Sequence, residues 1–225
     1  MKYIYIINIV NVVNMNKIVV FGAAGGTGIE IVKQALEAGY QVTAFVRNPE
    51  KFALDHPSLV VRQGDVTFAG TFDKVVAGQD AVISAIGNRS TKPTILYSVG
   101  LRNIIDAMRR TNVQRLICIS AGGLDVNPQC SFFVRLLTKY VLQRILKEPY
   151  ADLRLMETIV RQSGMHYTIM RPSRLLDKPV TGEYRIGINE NISKPWSIAR
   201  ADVAHFIVHH IGDMKTFQST TAISY

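Results

Sequence analysis

The sequence predicts an α/β fold: a doubly wound parallel sheet in a single domain, with a small C-terminal elaboration on the substrate side. Three observations predict it. Short Val- and Ile-rich runs alternate with helical-period segments from Lys17 onward, a glycine-rich turn joins the first run to the first helix, and no linker, repeat or low-complexity tract divides the chain. Lys17 to Phe21 reads as a buried strand. A helix follows from about Gly26, with Ile29, Val32 and Leu36 at one-face spacing and Gly39 as its stop. Gln41 to Val46 is the second strand, Leu59 to Arg62 the third, Ala81 to Ile86 the fourth and Arg115 to Ser120 the fifth. Further helices are expected over Thr71 to Ala77, Ile95 to Arg110, Phe133 to Lys147 and Tyr150 to Gln162, the last ended by Ser163-Gly164. His166 to Met170 is a sixth strand. Beyond Pro172 the pattern weakens to a short strand at Gly182 to Ile186, a helix at Ala199 to Ile211 and a last strand at Thr220 to Ser224.

Composition narrows the function classes. The 225 residues carry 26 Lys and Arg against 17 Asp and Glu, a net charge of +9, yet no Lys- or Arg-rich run or aromatic-interleaved basic stripe appears. A nucleic-acid partner is therefore not expected, and the diffuse positive field suits an anionic small molecule. With 48% apolar and 19% charged residues the chain can bury a sizeable core. Two cysteines are too few for a disulfide scaffold, and Cys118 in Leu116-Ile117-Cys118-Ile119 should pack as a small hydrophobe, so a cytoplasmic location is expected. The apolar start MKYIYIINIVNVV is interrupted by Asn8 and Asn11 and falls short of the roughly 18 apolar residues of a spanning helix. No membrane partner is expected on that basis. Met15 stands just before the first strand, so residues 1–14 are expected to be an upstream extension or a misassigned start, and 15–225 the domain.

The most informative segment is Gly22-Ala23-Ala24-Gly25-Gly26-Thr27-Gly28, between a strand and a helix. Glycines there allow a tight turn and close backbone approach, and the helix N-terminus offers N–H groups and a positive dipole end to a pyrophosphate. About 20 residues further on, where NAD-binding folds place an acid for the ribose hydroxyls, the second strand ends in Arg47-Asn48-Pro49. Arg47 suits a 2′-phosphate, so NADP(H) is favoured over NAD(H); otherwise Arg47 is a solvated strand-end residue. Gly64-Asp65-Val66 follows the third strand, where Asp65 could accept from an adenine amino group. Ala85, Ile86 and Gly87 follow the fourth, where small residues let the adenosine half lie against backbone. Either segment could equally be a plain turn.

Taken together, GAAGGTG, FVRNPEK, GDV, SAIG, ISAGG and YTIMRP, each at a strand end, resemble the atypical short-chain dehydrogenase/reductases. The NAD(P)H-binding, NmrA-like branch that includes flavin reductase and biliverdin-IXβ reductase is the nearest likeness, over roughly Asn16 to Tyr225. The resemblance implies a Rossmann-like fold and NADPH-dependent reduction, although some members only sense the cofactor. It also implies that Gly22, Gly25, Gly28 and Thr27 form the pyrophosphate turn, with Ala24 and Gly26 in it. By the same likeness Arg47 meets the 2′-phosphate, Ser120 is the active-site serine beside the nicotinamide, and Pro172 and Ser173 form the loop passing it.

One departure shapes the chemistry. Many short-chain dehydrogenase/reductases use Tyr-x-x-x-Lys, in which one helical turn sets an ammonium beside a phenol. This chain has no such pair; it does have Tyr140-x-x-x-Arg144 and Tyr150-x-x-x-Arg154, but Arg cannot relay a proton. Tyr150 is the better candidate acid, standing ahead of the helix that leads into the sixth strand; the alternative is a helix-start aromatic. Without the Lys, a conjugated planar acceptor of flavin, quinone or tetrapyrrole type is expected, bound in a groove lined by Gly122, Gly123 and the Asp125 to Phe133 loop, with solvent supplying the proton. A non-catalytic NADP(H)-sensing protein is the alternative. His205 and His209 are spaced i, i+4 but lack the Glu of a zinc-protease helix, so no metal site is expected; Gly-x-Ser-x-Gly is absent. A monomer or a homodimer would fit.

Overall fold

The computed structural model describes residues 13–225 except 69, 71 and 89. Residues 1–12 of the expected 1–14 extension and the expected helix start at Thr71 therefore lie outside the described residues. Strands β1 (Lys17–Phe21), β2 (Gln41–Val46) and β3 (Leu59–Gln63) enclose helix α1 (Gly26–Glu37) in the order β1-α1-β2-β3. Then come α2 (Asp73–Val76), β4 (Ala81–Ser84), α3 (Leu96–Thr111) and β5 (Arg115–Ile119). A helical segment follows: α4 (Phe132–Leu137), a π turn at Thr138–Leu142 and α5 (Gln143–Ile145). It leads into α6 (Lys147–Arg161) and β6 (His166–Pro172). The C-terminal part holds β7 (Arg174–Leu176), β8 (Arg185–Ile188), β9 (Ser197–Ala199), α7 (Arg200–His209) and β10 (Ser219–Ser224).

The main sheet runs β3-β2-β1-β4-β5-β6-β10-β8, parallel throughout except for the antiparallel β10–β8 pair, and β7 and β9 form a separate two-stranded parallel sheet. This is the doubly wound Rossmann order, reversing between β1 and β4. Its strands read as continuous apolar runs because both faces are covered. Val19 and Phe21 enter the core under α3 and α6, while Ile18 and Val20 enter the core under α1 and α7. Cys118 is fully buried and burial pushes its thiol pKa up, as for a packed hydrophobe.

Three differences from the sequence reading have physical reasons. The helix expected over Phe133 to Lys147 runs from Phe132 to Ile145, but it widens into a π turn at Thr138–Leu142 and ends in a turn at Leu146 before α6. Helix α6 starts at Lys147, so Tyr150 sits inside its first turn rather than ahead of it. Strands β7 and β9, three residues each, exist only because Arg174–Leu176 pairs with Ser197–Ala199 across more than twenty residues, which local patterning does not reveal. Val13 and Asn14 stay at the periphery, where the Val13 N–H donates to the Gly212 carbonyl at 3.0 Å.

Arg115 pins the bottom of the sheet to the segment after α7. Its guanidinium is 1% exposed, donates to the carbonyls of Ile211 (2.7 Å) and His166 (2.9 Å) and to Thr216 Oγ1 (3.0 Å), and lies 4.5 Å over the Phe217 ring. Burial pulls its pKa down to about 9, which still leaves it charged at neutral pH. Arg115→Met should strand these acceptors and lower unfolding stability by about 3 kcal/mol, read from urea denaturation midpoints.

Candidate functional site

The crevice opens above the carboxyl ends of β1 and β4. Gly22 adopts φ +76°, and a Cβ on it would lie 2.7 Å from the Ala85 carbonyl, so the turn packs directly on the β4 exit. Gly28 is tighter still. A Cβ there would fall 2.2 Å from the Gly22 carbonyl oxygen, so only glycine lets α1 approach the turn this closely. Gly25 caps α1, its N–H donating to the Gly22 carbonyl at 2.9 Å, and no side chain or first-turn acid competes for the opening N–H groups of α1. Ala24, Gly25 and Gly26 are exposed at this rim and Thr27 is buried beneath it. The cradle therefore fits a dinucleotide pyrophosphate.

Around β2 and β3, Arg47, Gln63, Gly64 and Asp65 line a cleft of about 460 Å³. The Arg47 side chain is exposed, and Gln63 Nε2 donates to its carbonyl at 3.2 Å. Asp65 Oδ1 accepts from the Thr67 N–H (2.9 Å) and hydroxyl (2.7 Å). These bonds and the nearby Arg47 charge lower its pKa and fix it as an ionised acceptor with Oδ2 uncommitted to Thr67. Gly64 answers a packing need: its Cβ would strike the Phe45 ring at 2.3 Å, and that ring belongs to a cluster with Phe21 and Phe72. Val66 and Ile86 are buried against Gly100 of α3, Ala85 is buried, and Gly87 is exposed at the rim.

The deeper end of the site is built on a carboxylate. Glu157 on α6 is almost wholly buried and receives the Ser120 hydroxyl at 2.6 Å, Arg171 twice (2.9 and 2.7 Å) and Arg161 at 2.7 Å. Burial alone would raise its pKa. The Arg171 bonds, the Ser120 hydroxyl and Arg161 outweigh that and hold it below the usual carboxylate range. An ionised carboxylate is acceptor-only, so Ser120 must donate to it. What remains of Ser120 for a ligand is its lone pairs.

Tyr150 lies on the same helix, buried, with its hydroxyl 2.7 Å from where a Gly123 Cβ would sit and with no hydrogen-bond partner among the described residues. Burial raises its pKa, against a smaller opposing pull from Arg154, so it stays a protonated donor. Arg154 itself is turned away. It donates to Asp125 at 3.0 Å and to the Leu124 carbonyl, and Asp125 also receives Arg171 at 2.6 Å. Pro172 ends β6 and its carbonyl accepts the Gly122 N–H at 2.9 Å, tying the two loops together, while Ser173 Oγ donates to Ser224 Oγ at 3.0 Å. Tyr140 is exposed on the π turn, remote from this chemistry. His205 meets the Tyr184 hydroxyl at 2.8 Å and stacks on His209.

Three site residues escaped the sequence reading. Glu157 had a signal, an acid among the helix-face positions Leu153, Met156 and Val160. Arg171 stood in YTIMRP beside the recognised Pro172. Arg200 had none: its side chain lies 2.9 Å from where a Gly26 Cβ would sit and pairs with Asp177 at 2.6 Å, bringing the start of α7 to the pyrophosphate turn.

Sheet order and glycine cradle together define a Rossmann-type dinucleotide-binding protein. Residues 22–213 match the NAD(P)H-binding family, and the chain belongs to it, which is consistent with the resemblance to the atypical short-chain dehydrogenase/reductases. It is 34% identical over 188 residues to an uncharacterized chloroplastic protein of Arabidopsis thaliana, covering 76% of this chain and 64% of that one. The chain thus spans less than two thirds of that relative's length. Over 244 aligned residues it is 26% identical to reductase pytE of Aspergillus terreus, covering 85% of this chain and 89% of that one. Among solved structures, a short-chain dehydrogenase/reductase of Veillonella parvula in complex with NADP superposes with a TM-score of 0.77 at 19% identity, covering 94% and 95% of the two chains. That likeness is one of fold. No helix among the described residues is long and apolar enough to cross a membrane.

The depressed Glu157 pKa has a defined sign. A carboxylate held below its unfolded value stabilises the fold fully above about pH 4.3, and that stabilisation is lost as pH falls through the folded pKa. Urea unfolding between pH 7 and 3 should show this acid loss, and Glu157→Gln should flatten it. At pH 7 the variant, with Arg171 left poorly matched, should be about 3 kcal/mol less stable.

Proposed function

We propose that the chain is an NADPH-dependent reductase of a planar, conjugated acceptor of flavin, quinone or tetrapyrrole type. The observation that carries the reading is the buried, protonated Tyr150 hydroxyl over Gly123, with no lysine one turn on and with Arg154 committed to Asp125 and the Leu124 carbonyl. Such a site positions rather than shuttles protons, which suits an acceptor whose protonation needs little help. Bound NADPH supplies the hydride. Arg47 selects NADP(H) by meeting the 2′-phosphate at the end of β2, and Asp65 Oδ2 is free to accept from the adenine amino group. Ser120, its proton committed to Glu157, accepts from the carboxamide N–H₂, and the protonated Tyr150 hydroxyl donates to a heteroatom of the acceptor. Pro172 and Ser173 form the far wall. The relation to a reductase of similar length supports the class of reaction.

A non-catalytic NADP(H) sensor is the second reading, favoured by the missing Lys of the Tyr-x-x-x-Lys pair. Stopped-flow mixing with NADPH and excess flavin, then quinone and linear tetrapyrrole, separates the two. The reductase reading predicts oxidation above the protein-free rate with at least one acceptor, and Tyr150→Phe should lower that rate about tenfold while NADPH affinity holds. Equal affinity for NADP⁺ and NADPH with no turnover would instead establish the sensor. Arg47→Glu should raise the NADPH dissociation constant about a hundredfold and leave that of NADH nearly unchanged, measured by fluorescence titration. An equal change in both would remove the 2′-phosphate role.

A further inference from the structure

The segment between β5 and α6 contradicts the economy of the rest of the fold. From Ser131 to Lys147 no residue is buried, yet it carries Phe132 and Phe133 at 70% and 80% exposure, followed by Leu136, Leu137, Tyr140 and Ile145, all exposed. Soluble surfaces rarely leave so contiguous an apolar stretch open without a use. Its charge is equally one-sided. Arg135, Lys139, Arg144 and Lys147 lie within it and no acid does.

We propose that Ser131 to Lys147 docks on an anionic lipid bilayer, lying in the headgroup layer with its phenylalanines toward the acyl chains. Interleaved basic and large apolar residues on a helical segment are what an anionic interface accepts: the apolar side chains leave water while the cations stay at the phosphates. A second copy is the poorer occupant, because two such faces would bring eight cations together with no acid between them in either segment. The sequence argument against a membrane concerned a spanning helix, and a segment lying in the surface is free of that length requirement. The segment is also tethered to the site. Gln143 Nε2 donates to the carbonyls of Gly123 (3.3 Å) and Leu124 (2.8 Å), so docking brings the loop beside Ser120 to the bilayer.

The test needs no turnover and so stands apart from the reductase reading. The full chain is co-sedimented with vesicles of phosphatidylcholine alone, or of equal parts phosphatidylcholine and phosphatidylglycerol, at low and high salt. The expected result is pelleting with the anionic vesicles, weakened by salt. Phe132→Ser with Phe133→Ser, and separately Arg135→Gln with Lys139→Gln and Arg144→Gln, should each weaken it at least about tenfold with an unchanged unfolding midpoint. Should the phenylalanine pair shift that midpoint, the charge variant decides alone. A chain that stays in the supernatant with every vesicle, or variants that pellet as the parent does, overturns the proposal. A concentration-dependent dimer without vesicle binding, lost in the phenylalanine variant, would assign the face to a second copy and overturn it too.

Discussion

The arrangement of the site depends on one buried charge. Glu157 arrives from α6 into a space that water does not reach, and a lone carboxylate there would be strongly unfavourable. It is tolerated because the end of β6 supplies Arg171, its own helix supplies Arg161 and the end of β5 supplies Ser120. Three elements distant in sequence are thereby held in one geometry. Replacing such a cluster with apolar groups of equal volume often costs a fold little. What would be lost is direction: a serine whose proton always points inward, and an arginine whose outer face reaches Asp125 and through it Arg154. The loop after β5 is thus organised from below by a group that itself has almost no contact with solvent.

The glycine turn follows a different logic, of space rather than charge. Between the Gly22 carbonyl and α1 there is no room for a methyl group at Gly28, and between Gly22 and the β4 exit there is none either. These absences of side chain bring backbone N–H groups to a point where an anion can be held by many weak dipoles at once. Arg200 adds a side-chain cation at the same rim. Part of the basic complement is committed within the fold: Arg115 to buried carbonyls, and Arg161 and Arg171 together to the single carboxylate of Glu157. The net charge of +9 therefore says less about partners than its size suggests, and the segment without acids says more.

How much of this was legible in the sequence varies with the range of the interaction. The β1 to β6 core and the nucleotide turn could be read because their signals are local: apolar runs bounded by turn residues, and glycines at fixed offsets from a strand end. The separate sheet of Arg174–Leu176 and Ser197–Ala199 could not, since each strand is defined by the other. The π turn at Thr138–Leu142 was hidden for the converse reason: helical periodicity was present, and nothing in it marks where a turn widens. Within the site, the candidate nucleotide residues were chosen from their position at strand ends, whereas the state of Ser120 as a committed donor and the turning away of Arg154 depend on Glu157 and Asp125, contacts made across 37 and 29 residues.

The order of strands at the far edge has a consequence for how the chain reaches this state. Among the described residues β8 pairs with the main sheet only through β10, and β10 is the later of the two in sequence. During synthesis, β8 emerges with no edge to join, because β6 must first accept Ser219–Ser224 alongside it. The nucleotide half can therefore close while the last part of the sheet is still waiting. A nascent chain halted before Ser219 would carry a finished glycine cradle, an uncovered β6 edge and a stray β8 strand, the combination most open to pairing with a neighbour on the same messenger.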